Sequence, residues 1–141
     1  GDFRTYLSSS VITEATFALQ VAGERIWGDR IPFFEAAYIG GLPTLRGFDA
    51  ERFAGDASLY GNAELRMYVG KFSLLMPVTY GISFFGDAGR VSLAGQSSTL
   101  WHTAYGGGLW FSIFQRSMVL SIAAAKSHEK FGLYITGGFA F

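Results

Sequence analysis

The chain has no cysteine among its 141 residues, so neither a disulfide framework nor thiol chemistry is open to it. It is also poor in charge, with 16% charged residues where a soluble domain carries roughly a quarter. Eleven basic residues cancel eleven acidic ones, which removes the electrostatic case for a nucleic-acid partner. The charge deficit implies that much of the exterior does not face water. No apolar run approaches the ~18 residues of a membrane helix. A chain like this could enter a bilayer only as a barrel, the other way to satisfy every backbone polar group in lipid. It starts Gly1-Asp2-Phe3, without initiator methionine or signal peptide, so a processed chain or a fragment is expected.

Half the residues are hydrophobic, 17% are aromatic and nineteen are glycine. They are arranged with period two, the signature of half-buried strands. Phe3, Thr5 and Leu7 alternate with Arg4, Tyr6 and Ser8 up to a turn near Ile12-Thr13-Glu14. Phe17, Leu19 and Val21 oppose Thr16, Ala18, Gln20 and Ala22. From about Gly28 to Asp56 the alternation is lost, and a loop of that length is usually functional or disordered. Leu59, Ala63, Leu65 and Met67 then oppose Tyr60, Asn62, Glu64 and Arg66, up to a turn at Gly70-Lys71. Val78, Tyr80, Ile82 and Phe84 oppose Thr79, Gly81, Ser83, Phe85 and Asp87, before a loop from about Gly89 to Thr99. Trp101, Tyr105, Leu109 and Phe111 oppose His102, Ala104, Gly106 and Trp110, up to a turn at Gln115-Arg116-Ser117. Met118, Leu120 and Ile122 oppose Val119, Ser121 and Ala123. After Ser127 to Lys130, the last strand sets Phe131, Leu133, Ile135, Gly137, Phe139 and Phe141 on one face.

These are seven antiparallel strands joined alternately by tight turns and longer loops. Large side chains keep to one face, and Gly, Ala, Ser, Thr and a few charges to the other. Transmembrane barrels have this pattern, apolar outside and polar inside. A soluble ligand-binding barrel would exchange the faces, and periodicity alone leaves that alternative open. The small-residue face has too little apolar volume for a core, which favours the membrane reading. An odd strand number does not seal a single-chain bacterial barrel. The expected fold is therefore the C-terminal part of a wider barrel, completed by N-terminal strands absent here or by another copy.

Within Gly40-Gly41-Leu42-Pro43-Thr44-Leu45-Arg46-Gly47-Phe48, the single arginine stands out in a Gly/Pro-punctuated stretch. Period two sends Glu64 and Asp87 to one face, so a buried Arg46 cluster with both carboxylates is expected. A guanidinium suits this role, being always charged and able to grip carboxylates bidentately. Catalysis is the weaker reading of Glu64, Asp87 and His102, because no serine or cysteine nucleophile motif surrounds them. His102 and His128 lack ligand-type neighbours at metal-binding spacing. Gly106-Gly107-Gly108 has no following Lys-Ser/Thr to make a phosphate cradle. No enzyme activity, cofactor or metal is expected.

Leu45-Arg46-Gly47-Phe48, Gly61-Asn62-Ala63-Glu64-Leu65-Arg66, Phe84-Phe85-Gly86-Asp87-Ala88-Gly89 and the ending Phe139-Ala140-Phe141 occur in that order. Together they resemble the BamA/TamA superfamily of outer-membrane barrels, also described as bacterial surface antigen domains. The resemblance spans the whole chain, as the last seven strands of a barrel of about sixteen. It implies that Arg46, Gly47 and Phe48 sit at the tip of a lumen-directed loop latched to Glu64 and Asp87. It also implies that Tyr134, Gly137, Phe139 and Phe141 belong to a C-terminal insertion signal and a lateral seam. Thr136 departs from the family's usual glycine. The implied setting is a bacterial outer membrane with the C-terminus periplasmic. The implied partners are outer-membrane lipid and unfolded barrel-protein or secreted polypeptide clients. The implied work is barrel-protein assembly or polypeptide translocation. An anchor or export pore for a fused hydrolase-type domain is the alternative. Phe17, Tyr68, Phe72, Phe84, Trp101, Phe114, Phe131 and Phe139 are expected near strand ends as interfacial girdles.

Overall fold

The computed structural model describes residues 1–9, 15–26, 36–73, 75–93, 100–113 and 118–139. The expected turns at Ile12-Thr13-Glu14 and Gln115-Arg116-Ser117, the start of the long loop, Phe114 and Phe141 lie outside them. The described residues are all-β: β1 (Asp2–Ser9), β2 (Ala15–Arg25), β3 (Ala37–Ile39), β4 (Phe53–Gly55), β5 (Ala57–Ser73), β6 (Pro77–Ser92), β7 (His102–Ile113), β8 (Met118–Ser127) and β9 (Phe131–Gly137). Seven of them form one antiparallel sheet in the order β1-β2-β5-β6-β7-β8-β9, and β3 pairs with β4 in a separate two-stranded sheet. The large sheet is open, with β1 and β9 as its edges.

Register converts the alternation into two faces of opposite chemistry. One outer row runs Met67, Ile82, Leu109, Ile122, Ile135 across β5 to β9, and the next runs Phe17, Leu65, Phe84, Gly107, Ala124, Leu133 across β2 to β9. The inner rows are small or polar: Gln20, Asn62, Asp87, Ala104, Ser127, and beside it Ala18, Glu64, Phe85, Gly106, Ala125, Gly132. The burial is inverted relative to a water-soluble sheet. Gln20, Asn62, Glu64, Arg66 and Asp87 are buried, while Phe84, Leu109, Leu133 and Ile135 are exposed, the last two at 73%.

The sheet is strongly curled. β5 and β9 stand four strand spacings apart, about 19 Å in a flat sheet. Yet the Arg66 guanidinium of β5 lies 3.8 Å from the ring centroid of Phe139, just beyond β9. An arginine and a phenylalanine cannot span a flat gap of that width, so the inner face is concave. Trp110 of β7 bends over Gly81, where an added Cβ would come within 2.4 Å of the indole.

Five expectations are corrected. The turn at Gly70-Lys71 is not there: β5 runs on to Ser73, with a register shift between Tyr68 and Gly70. This bulge at Val69 exchanges the parity of the faces, so Phe72 pairs with Val78 and packs near Tyr80, ring centroids 5.7 Å apart. β6 begins on Pro77, where a missing ladder donor is tolerated, and extends past Gly89 to Ser92. The long loop has structure of its own in β3 and β4, and β5 starts at Ala57. Finally, Phe139 is not on the outer face with Phe131. Gly138 takes φ 101°, which breaks the strand alternation and turns Phe139 inward onto Arg66 and Trp110. Phe84 likewise sits mid-strand in β6 and Tyr68 lies on the inner face, so neither marks a strand end.

Candidate functional site

The site is where the segment between β3 and β4 lies against the concave face. Its path is set by a tight turn: Thr44 Oγ1 accepts from the Gly40 N–H at 2.8 Å, and the Leu45 N–H donates to the Gly41 carbonyl at 2.9 Å. Gly40 has φ 131°, and a Cβ there would fall 2.3 Å from the Asp49 carbonyl, so no other residue fits. The turn delivers Leu45, Arg46, Gly47 and Phe48 to the sheet as a fully buried run. Asn62 Nδ2 donates to the Thr44 carbonyl at 2.8 Å.

The structure brings Arg46, Glu64 and Asp87 together. Arg46 Nη1 donates to Glu64 Oε2 at 2.7 Å, Nη2 to Asp87 Oδ1 at 2.7 Å and Nε to Asp87 Oδ2 at 2.8 Å. The Arg46 main-chain N–H adds a fourth bond, to Asp87 Oδ2 at 3.0 Å. The side chains of Arg46, Glu64 and Asp87 are 3%, 4% and 0% exposed. The guanidinium lies 3.6 Å from the Phe85 ring centroid. That ring has room because residue 106 is glycine: a Cβ there would sit 2.5 Å from its tip. Glu64 Oε1 also accepts from Arg66 Nε at 2.8 Å, so the chain of contacts runs Asp87, Arg46, Glu64, Arg66, Phe139. Charge-assisted, bidentate and buried, this arrangement fixes the position of the loop.

The next residue grips the other wall. The Gly47 carbonyl accepts from Ser127 Oγ at 2.6 Å, and the Gly47 N–H donates to the Tyr134 hydroxyl at 2.7 Å. Gly47 has φ 82°, and a Cβ would approach the Ser127 N at 3.2 Å and Ala104 Cβ at 3.3 Å. Gly47→Ala is expected to weaken loop docking by about 1–3 kcal/mol, read as faster proteolytic nicking of residues 36–56 with the sheet intact. Phe48 is 1% exposed and meets Phe53, His128 and His102 edge-on, with centroids 5.2, 5.4 and 5.9 Å away. The His102 ring stacks on Phe53 at 3.6 Å, away from the carboxylates that Arg46 holds.

Two exposed ion pairs tie the loop to the turn before β9: Arg52 with Glu129 at 3.0 Å, and Lys130 with Asp49. The bond to Asp49 holds the Lys130 ammonium above its ordinary pKa. Such pairs contribute little in water, so Arg52→Ala should change loop docking by less than about 1 kcal/mol in the same proteolysis assay.

Sequence reasoning grouped Tyr134 with a C-terminal signal and did not connect it to the loop, and it did not single out Ser127. Their shared partner is main chain, which leaves no residue-type signal. Gly137 closes β9 in register with Leu120, and a Cβ added there would meet no described atom within 4 Å. Among the described residues no group of three or more His, Cys, Asp or Glu is placed to hold a metal.

No family model matches the chain, and neither a curated protein nor a solved structure does.

Proposed function

We propose that this chain is part of the wall of a bacterial outer-membrane β-barrel of BamA/TamA type. In this reading Arg46, Gly47 and Phe48 latch a lumen-directed loop inside the barrel. The observation that carries it is the inverted chemistry of the curled sheet: a buried charged cluster on the concave face and unbroken apolar rows on the convex one. Exposed apolar surface on that scale is costly in water and marks an interface. On the outer face Lys126 lies between Tyr105 and Phe131 in register. A lysine flanked by exposed rings suits the lipid–water boundary, where the ammonium snorkels to the headgroups.

The two unpaired edges, β1 and β9, would be met by further strands of the same barrel or by another copy. An open edge supplies donors and acceptors that an incoming strand can satisfy, which fits assembly or translocation of polypeptide clients at a seam along β9. The anchor or export-pore reading uses the same wall and differs only in what is fused to it.

Depletion of the protein from the source bacterium tests the reading. If it assembles barrels, other outer-membrane barrel proteins lose their folded, heat-modifiable form. If they fold at normal rates, the assembly role is overturned and the anchor reading stands. Recovery of the protein in an aqueous fraction without detergent overturns both.

A further inference from the structure

The loop tip joins two walls through neighbouring residues. Arg46 holds β5 and β6 through its side chain, while Gly47 holds Ser127 of β8 and Tyr134 of β9 through its main chain. Among the described residues β9 is an edge strand, bound in the ladder on one side only, over Phe131–Gly137. Its outer residues Leu133 and Ile135 are largely exposed, so its further contacts are inward. Tyr134 is built for reach. At Gly132 an added Cβ would stand 2.9 Å from the Tyr134 hydroxyl and 3.1 Å from its ring, so the missing side chain is the space the ring lies in.

We propose that Tyr134 is a positioning residue that makes the hold on the β9 edge depend on whether the loop is seated. With the Arg46 cluster formed, Gly47 stands where its N–H meets the Tyr134 hydroxyl, and β9 is pinned against the inner wall. When the loop lifts, the Tyr134 bond goes with it, and β9 is left with its ladder to β8 and the Phe139 contacts beyond its far end. The edge is then freer to peel from β8 and pair elsewhere. The use made of that edge rests on the seam reading above; the coupling does not.

Amide hydrogen exchange on the detergent-solubilised protein tests this with Tyr134→Phe, Arg46→Ala and the double variant. Tyr134→Phe keeps the ring and removes one hydroxyl, so exchange in residues 131–137 should quicken about 3- to 10-fold, with the β5–β6 ladder unchanged. Arg46→Ala should quicken the same residues by unseating Gly47. The double variant should exchange no faster there than Arg46→Ala alone, the non-additivity expected of groups acting as one unit. Unchanged β9 exchange in Tyr134→Phe, or effects that multiply in the double variant, overturns the proposal. Should Tyr134→Phe fail to fold, Arg46→Ala alone carries the test: unchanged β9 exchange with the loop unseated overturns the proposal. Normal barrel assembly after depletion would remove the seam reading and leave these exchange results standing, so the two failures are distinguishable.

Discussion

Arg46→Ala is expected to unseat the loop at a cost of about 3–5 kcal/mol, the loss typical when one partner of a buried ion pair is removed. The loss falls unequally. Glu64 keeps its bond to Arg66, whereas Asp87 loses both guanidinium bonds while its side chain is fully buried. The penalty therefore belongs mainly to the Asp87 carboxylate, left with at most the main-chain N–H of residue 46. Limited proteolysis should cut residues 36–56 much faster in the variant, with the sheet still resistant. Adding Asp87→Asn should recover part of the loss, because a neutral amide tolerates burial better than a bare charge. Arg46→Lys should fall between, since one ammonium cannot reproduce a fork shared by two carboxylates. A loop that stays equally protected in Arg46→Ala would remove the latch.

Ile122→Arg should be the most damaging single change on the convex face, at about 2–4 kcal/mol in a bilayer. Ile122 lies in the all-apolar row between Leu109 and Ile135. Were that face solvated, the same substitution at a surface position would stay within about 0.5 kcal/mol. Denaturant unfolding from lipid vesicles separates the two outcomes. Depth should matter as well. Lys126 is already a cation, so Lys126→Arg should be nearly silent, and a wild-type midpoint for Ile122→Arg would overturn the membrane reading.

Much of this arrangement was legible because side-chain direction in a strand follows parity. Glu64 and Asp87 fall on one face by counting alone, and so do Ile82 and Phe84 on the other. Counting fails where the backbone changes phase. The bulge at Val69 looks like a turn because Gly70 and Lys71 are turn residues, and nothing in the sequence says that the strand resumes with inverted parity. Gly138 does the same at the far end, turning Phe139 from the outer face to a ring over Arg66. The roles of Tyr134 and Ser127 were hidden for another reason. Both bind the main chain of Gly47, and a peptide group has no sequence identity to detect. A curved wall was expected from the barrel pattern, but its extent was hidden, since alternation says which side a residue faces and not how far the surface bends.

The division of labour between residues 46 and 47 bears on how this loop could diverge. Its hold on β5 and β6 is written mainly in the Arg46 side chain, backed by the Arg46 main-chain N–H on Asp87 and by Asn62 on the Thr44 carbonyl. Its hold on β8 and β9 is written in the path of the backbone, and would survive any loop sequence that keeps the same trace and a glycine at the contact. Substitution scanning of the loop would therefore find the first anchor as a lost side chain and the second only at Gly47, where an added Cβ disturbs the backbone path. Grafting the backbone trace onto another curled sheet, with a serine and a tyrosine placed like Ser127 and Tyr134 as its receivers, would carry the second anchor without the first.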